Sequence, residues 1–369
     1  MTLTRRELLT ASALLLAGPG NALRAAGSSA TGGAASLARP IVLCWNENPY
    51  GPSPAAQLAV SRAIGSSCRY PSDDQINEFT AAIARHEGVA GDHIVLGTGS
   101  GELLRALGLL CAGGEIVAAE PTYAELTDYA RKRGVEVRFV PVDAQLRHDL
   151  PAMAAAVSAH TRAVYLCNPN NPTGTAVPAA DIRDFVRSLP PGVLSIVDEA
   201  YMDFTTGSGV SSVADLAQAE RRVIILRTFS KIHGMAGVRC GYGIARPDLA
   251  AELAGACMTT PNIFAVRGAR ASLDDRAFLS RCRSRILASR TRITGELTRL
   301  GLKYAEPQGN FVFFDTGMPL GDFQQRMASR DILVGRLFAP YDRWCRLTIG
   351  TEPEVDAFLR ALRAVTAPG

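Results

Sequence analysis

With 369 residues, 47% of them hydrophobic, and 34 glycines, the chain is long enough to bury a large core and is neither fibrous nor disordered in composition. Its formal net charge is +4. It carries no basic tract interleaved with aromatics, which excludes a nucleic-acid-binding stripe.

The first 38 residues read as an export signal and a flexible linker. Arg5 and Arg6 precede an apolar stretch over residues 8–18 that is too short to span a bilayer, and a Gly/Ser/Ala run over 27–38 follows. "LTRRELL" resembles a twin-arginine signal, the type that carries already folded proteins across a membrane. The expectation is therefore an exported, periplasmic protein with no stable membrane insertion once the signal is removed, or a cytoplasmic one if the signal does not function. The eight cysteines are scattered without a CxxC pair, so free thiols are expected and no metal site.

Beyond the leader, three regions are expected: an N-terminal arm or small-domain segment over 39–72, a large domain over 73–265, and a smaller domain over 266–369. In the large domain, helical patterns alternate with short apolar runs, the signature of a mostly parallel sheet flanked by helices in an α/β fold. "EFTAAIARHEG" is an amphipathic helix ended by Gly88. "HIVLGTGSGELLRALGLLCAGG" is a strand, a glycine turn and a helix. "EIVAAEPTYAEL" and "VEVRFVPV" start further units, and "AVYLCNPNNPTG", "VLSIVDEAYMDF" and "VIILRTFSKIHG" are strands that each feed a polar loop. Past 265, "RSRILASRTRITGELTRLGL" is a long charged helix. "NFVFFDTG", a helix near 321–329, "ILVGRLF" and "CRLTIG" then mix strands with helices, as in an α+β domain.

Open α/β sheets bind ligands at the carboxyl ends of their strands, and the polar loops above gather there. Lys231, just after the strand "VIILRT", becomes a nucleophile if its surroundings remove its proton, and can then form a Schiff base with an aldehyde cofactor. Arg239, Ser230 and Thr228 make an anion cup, since a guanidinium matches phosphate geometry. The "GTGSGE" turn adds backbone N–H groups at a helix start. Its spacing is not that of a dinucleotide fingerprint, which excludes a nicotinamide dehydrogenase. Asp198 at the end of "LSIVD" suits a protonated ring nitrogen. Tyr201 and Asn171 can hydrogen-bond a phenolate oxygen, and Tyr123 in "EPTY" can stack on a ring.

The order of "NENPYG", "RYP", "GTGSGE", "EPTY", "NPNNPTG", "DEAYMDF", "FSKIHGMAGVRCGY", "GNFVFF" and "RLTIG" resembles the fold type I pyridoxal-phosphate (PLP) aminotransferases, and among them the histidinol-phosphate aminotransferase-like group. The resemblance runs from Asn46 to Glu354. It implies Lys231 as the Schiff-base lysine, Asp198 as the partner of the pyridine nitrogen, and Tyr201 and Asn171 as donors to the cofactor's phenolic oxygen. Ser100, Gly101, Thr228, Ser230 and Arg239 would hold the phosphate, and Tyr70 would reach the phosphate of a neighbouring subunit in a homodimer with shared sites. Arg346 would clamp the substrate carboxylate, with Asn310, Asn48, Tyr50 and Arg336 around the substrate. Relatives often carry an acidic residue where Gly101 stands, so that contact would be through backbone alone.

The function implied is ping-pong transfer of an amino group between an L-amino acid, or a histidinol-phosphate-like amine, and a 2-oxo acid. The alternative is a non-transaminating enzyme of the same fold, an oxidase, lyase or decarboxylase. An exported enzyme fits cytosolic histidine biosynthesis poorly, which favours a specialised or catabolic role.

Overall fold

A computed structural model describes residues 40–366, apart from residue 208 and residues 219–221. The export signal and linker expected over 1–38 lie outside the described residues. The strands are β1 (Ile41–Leu43), β2 (Ile94–Gly97), β3 (Glu115–Glu120), β4 (Glu136–Pro141), β5 (Thr161–Cys167), β6 (Leu194–Asp198), β7 (Val223–Thr228), β8 (Gly241–Ala245), β9 (Phe311–Asp315), β10 (Ile332–Val334) and β11 (Trp344–Thr348).

β2 to β8 form one seven-stranded sheet in the order β2-β8-β7-β6-β5-β3-β4. All its strands run parallel except β8, which is antiparallel to both neighbours. β3, β5, β6 and β7 are near-continuous apolar runs because helices cover both faces of the sheet, and residues such as Val117, Val164, Val197 and Ile225 are wholly inaccessible. Each such side chain stabilises the fold by about 2 kcal/mol.

Helix Asp73–Glu87 starts in a reciprocal capping box between Ser72 and Gln75, and Gly88 ends it with a left-handed φ of 71°. The sequence had this helix and the six parallel strands. It did not reveal β8. That strand reads GYGIA because a Cβ at Gly241 would lie 2.4 Å from the Ser100 nitrogen, and one at Gly243 would lie 2.9 Å from Val95 Cγ1.

The remaining strands form two pairs, β1 parallel to β10 and β9 antiparallel to β11. Helices Arg276–Arg299 and Glu352–Thr366 share a core with them, which also takes in Leu43, Tyr201, Phe204 and Ile232. The arm that carries β1 is thereby joined to the C-terminal strands, and the same core reaches the loop after β6. The eight cysteines are all free; Cys111, Cys167, Cys240, Cys282 and Cys345 are buried, and Cys68 is exposed.

Candidate active site

Strand register brings the expected loops to one rim. Gly97 of β2 and Thr228 of β7 both pair with Gly241 of β8, so three strand ends meet there. Cys167 of β5 pairs with Asp198 of β6, which sets the "NPNNPTG" loop beside the aspartate.

At the three-strand junction a polar cradle forms. Helix Ser100–Leu110 starts from Gly99, whose φ is 81°, with no side-chain cap, so the first-turn N–H groups of Ser100 and Gly101 have no capping side chain. A Cβ at Gly99 would lie 2.3 Å from Arg239 Nη2, so only glycine admits the guanidinium against this helix start. Arg239 itself has a φ of 65° and donates from Nη1 to Ala236 O at 2.9 Å and to Ser230 Oγ at 3.4 Å. Thr228 Oγ1 donates to Ser230 Oγ at 3.0 Å, and the Thr98 hydroxyl is buried without a partner. Hydroxyls, a guanidinium and a free helix N-terminus around one space fit a phosphate group.

Lys231 follows β7. Its Nζ donates to Asn46 O at 3.0 Å and Trp45 O at 3.4 Å, and lies 5.4 Å from the Tyr201 ring centroid. Burial, reinforced by the positive charge of Arg346, lowers its pKa to about 8. The whole chain has only three lysines, and the other two, Lys132 and Lys303, are exposed.

Asp198 is 2% exposed and accepts only from Ala200 N at 3.1 Å and Tyr165 Oη at 3.4 Å. Burial raises its pKa to about 6, against the opposing pull of those two donors and Lys231. A buried carboxylate with no ion-pair partner among the described residues fits a cationic ring nitrogen.

Tyr201 Oη accepts from Asn171 Nδ2 and from Asn46 Nδ2, each at 3.2 Å. Its ring stands edge-on to Phe311, centroids 5.0 Å apart. Tyr123 is half-buried against the core around Leu103, Leu126 and Tyr165, and burial pushes its hydroxyl up to about 12.

Arg346 on β11 donates from Nη1 to Asn171 Oδ1 and from Nη2 to Cys44 O, both at 2.7 Å, while its buried Nε has no partner. Desolvation lowers its pKa, so an arriving carboxylate would relieve a buried charge. Arg336 is exposed, and both it and Arg346 lie over the Phe338 ring, 5.1 and 5.0 Å from the centroid. The glycine before it packs tightly, since a Cβ at Gly335 would sit 2.2 Å from Arg346 O.

Of the other expected substrate residues, Asn48 and Asn310 have side-chain partners within the chain. Asn48 Nδ2 donates to Ile232 O at 2.7 Å, which braces the lysine loop. Asn310 Nδ2 donates to Asn46 O and Glu47 O at 3.1 and 3.2 Å, leaving its buried Oδ1 unpartnered. The Tyr50 hydroxyl is buried without a partner, and Arg285 lies 5.2 Å from its ring centroid. Tyr70 stands away from the cluster at 95% exposure.

A cavity of 420 Å³ borders the arm at Glu47, Asn48, Gly234, Thr348 and Glu354, but none of Lys231, Asp198, Tyr201 and Arg346 lines it. The sequence reading missed Tyr165 and Asn46. Asn46 stands first in "NENPYG", yet its partners are distant in sequence.

The chain matches the family model "Aminotransferase class I and II" over residues 38–362. It is 38% identical over 335 residues to a histidinol-phosphate aminotransferase of Moorella thermoacetica, covering 89% of this chain and 86% of that one. It is 34% identical over 333 residues to an aromatic amino acid aminotransferase of Cutibacterium acnes, covering 89% and 94%. Among solved structures, a histidinol-phosphate aminotransferase from Sinorhizobium meliloti in complex with pyridoxal-5'-phosphate superposes with a TM-score of 0.80. That match has 28% identity and covers 89% of this chain and 91% of the other. The chain belongs to the class I and II aminotransferases and is a PLP-dependent enzyme of fold type I that transfers amino groups.

Proposed function

We propose that this enzyme exchanges amino groups between an L-amino acid or a histidinol-phosphate-like amine and a 2-oxo acid, with Lys231 as its central catalytic group. The observation that carries this reading is a half-buried lysine of lowered pKa on the same rim as a buried aspartate that lacks a cationic partner. Bound PLP supplies an aldehyde carbon that joins to amines and a pyridine ring that withdraws electrons from that carbon.

Lys231 would hold the aldehyde carbon, and its amine, once free, would take the proton from the substrate Cα as base and return it as acid. Asp198 would keep the ring nitrogen protonated. Tyr201 and Asn171 would hydrogen-bond the phenolic oxygen, and Tyr123 would pack on the ring face. Ser100, Gly101, Thr228, Ser230 and Arg239 would hold the phosphate. Arg346 takes the substrate carboxylate through its free Nε, and Arg336 receives a second, distal anion.

Two relatives with different amino donors in their names match this chain at 38% and 34% identity, so similarity alone does not choose the donor. A screen of amino donors against 2-oxo acid acceptors on the cofactor-loaded protein decides it. Continued release of oxo acid beyond a single turnover per site, without any acceptor, would instead mean a non-transaminating reaction. Replacing Lys231 by Ala is expected to cut turnover roughly 10⁴-fold. Near-normal transamination by that variant would refute the assignment.

The active form is a homodimer in which Tyr70 completes the neighbour's phosphate site. The exposure of Tyr70, Met258, Ile64 and Leu58, at 95, 87, 62 and 51%, supports this. Sedimentation of a monomer at working concentration would overturn it. Export through the twin-arginine route would let the protein fold and load its cofactor before translocation. Fractionation tests this: the protein is expected in the periplasm and, with Arg5 and Arg6 replaced by Lys, in the cytoplasm.

A further inference from the structure

We propose that Asn46 is a positioning residue that, together with Asn171, compels the Tyr201 phenol to donate its proton into the cofactor site. The inference rests on the reading of Tyr201 as a hydrogen-bond donor to the cofactor's phenolic oxygen.

The direction of each hydrogen bond follows from what the partners can do. The Asn46 backbone N–H donates to Thr348 Oγ1 at 2.8 Å, so the threonine hydroxyl turns its own proton to Asn46 Oδ1, 3.2 Å away. That fixes the amide with its oxygen on Thr348 and its NH₂ on Tyr201. Asn171 is fixed in the same way. Arg346 can only donate and contacts Asn171 Oδ1, so the Asn171 NH₂ also faces Tyr201. Two amide N–H groups therefore fill the lone pairs of Tyr201 Oη, and the phenol's own proton must point elsewhere. Were either amide reversed, the phenol could spend its proton on a protein oxygen and face the cofactor with lone pairs.

The backbone of Asn46 adds a second constraint. Its φ of 54° lies in the left-handed region, and its carbonyl accepts from both Lys231 Nζ and Asn310 Nδ2. One residue, 1% exposed, thus touches the proposed catalytic amine and orients the phenol beside it. The other charged and titratable groups acting on Tyr201 are Arg346, Cys167 and Tyr123.

The test is the pH titration of the visible absorbance of purified, cofactor-loaded enzyme, with cofactor affinity measured alongside. Asn46→Asp presents an acceptor to the phenol and captures its proton. Asn46→Gly keeps the left-handed backbone and the carbonyl and removes only the amide. The Asp variant is expected to raise the titration midpoint by about one pH unit and to weaken cofactor binding about tenfold. The Gly variant should shift both less, in the same direction. In a Tyr201→Phe background neither change should move the midpoint further.

Wild-type midpoints for both Asn46 variants, with a shifted midpoint for Tyr201→Phe, would overturn the role of Asn46 and leave Tyr201 in place. An Asp effect that persists in the Tyr201→Phe background would also overturn it, assigning the shift to the new charge beside Lys231. An unshifted Tyr201→Phe enzyme would remove the donor reading of Tyr201 itself, and the Asn46 role with it.

Discussion

Asp198 and Glu199 are consecutive, both buried and both carboxylates, yet the two sides of the sheet treat them differently. Glu199 has Arg227 Nη2 at 3.0 Å, the Ser212 hydroxyl at 2.8 Å and the Val213 N–H at 2.8 Å. Asp198 has one backbone N–H and one long contact from Tyr165. Burial raises both pKa values, but Glu199 is answered by a guanidinium inside the chain and Asp198 is not. The difference teaches that a buried charge left without its counterion marks where a ligand must supply one, whereas a buried charge with a full set of partners is structure.

The largest expected effect comes from removing the unanswered charge. If Asp198 has the proposed role, Asp198→Asn should lower kcat/KM roughly a thousandfold, measured under saturating cofactor, because the ring nitrogen would lose the partner proposed to keep it protonated. Its cofactor-free form should behave oppositely. A carboxylate raised to about 6 stabilises the fold below the ordinary carboxylate pKa, near 4, and that contribution is lost as pH rises through 6. Cofactor-free Asp198→Asn should therefore exceed wild type in stability above pH 6, by on the order of 3 kcal/mol in denaturant titrations. Equal stability across pH 4–8 would break the comparison.

Glu199→Gln should do the reverse. Taking away the nearer carboxylate of Arg227, with Glu87 left 3.9 Å away, should cost up to about 3–5 kcal/mol of stability, while the folded fraction keeps its cofactor spectrum. A smaller effect is expected at Tyr165→Phe. Losing the long hydroxyl contact should raise the pH at which Asp198 ionises and lower activity by roughly threefold to tenfold, readable in the pH profile of kcat/KM. Lys231 gives a further sign to check. Only its neutral amine can attack, so the rate at which cofactor-free enzyme captures PLP should climb as pH rises through about 8.

Much of this was legible in the sequence, for specific reasons. β5, β6 and β7 announce themselves because strands covered on both faces need unbroken apolar runs, and each leads into a polar loop of the candidate site. Asp198, Lys231 and Arg239 follow from chemistry that few residue types perform. β8 was hidden because its glycines answer to Ser100, Val95 and Ile224, neighbours no local pattern reveals. Asn46 was hidden because an asparagine between a strand and a helix reads as a turn, and its partners Tyr201 and Thr348 are 155 and 302 positions away. The backbone partners of Asn48 and Asn310 were equally invisible, since a hydrogen-bonding side chain in a motif does not announce whether it faces ligand or backbone.

The most direct measurement is borohydride reduction of freshly purified, cofactor-saturated enzyme, followed by digestion and mass spectrometry. The expected result is a pyridoxyl group on Lys231, with Lys132 and Lys303 unmodified. Reduced protein with no adduct at Lys231, or with the label on either of the other two lysines, would contradict the account.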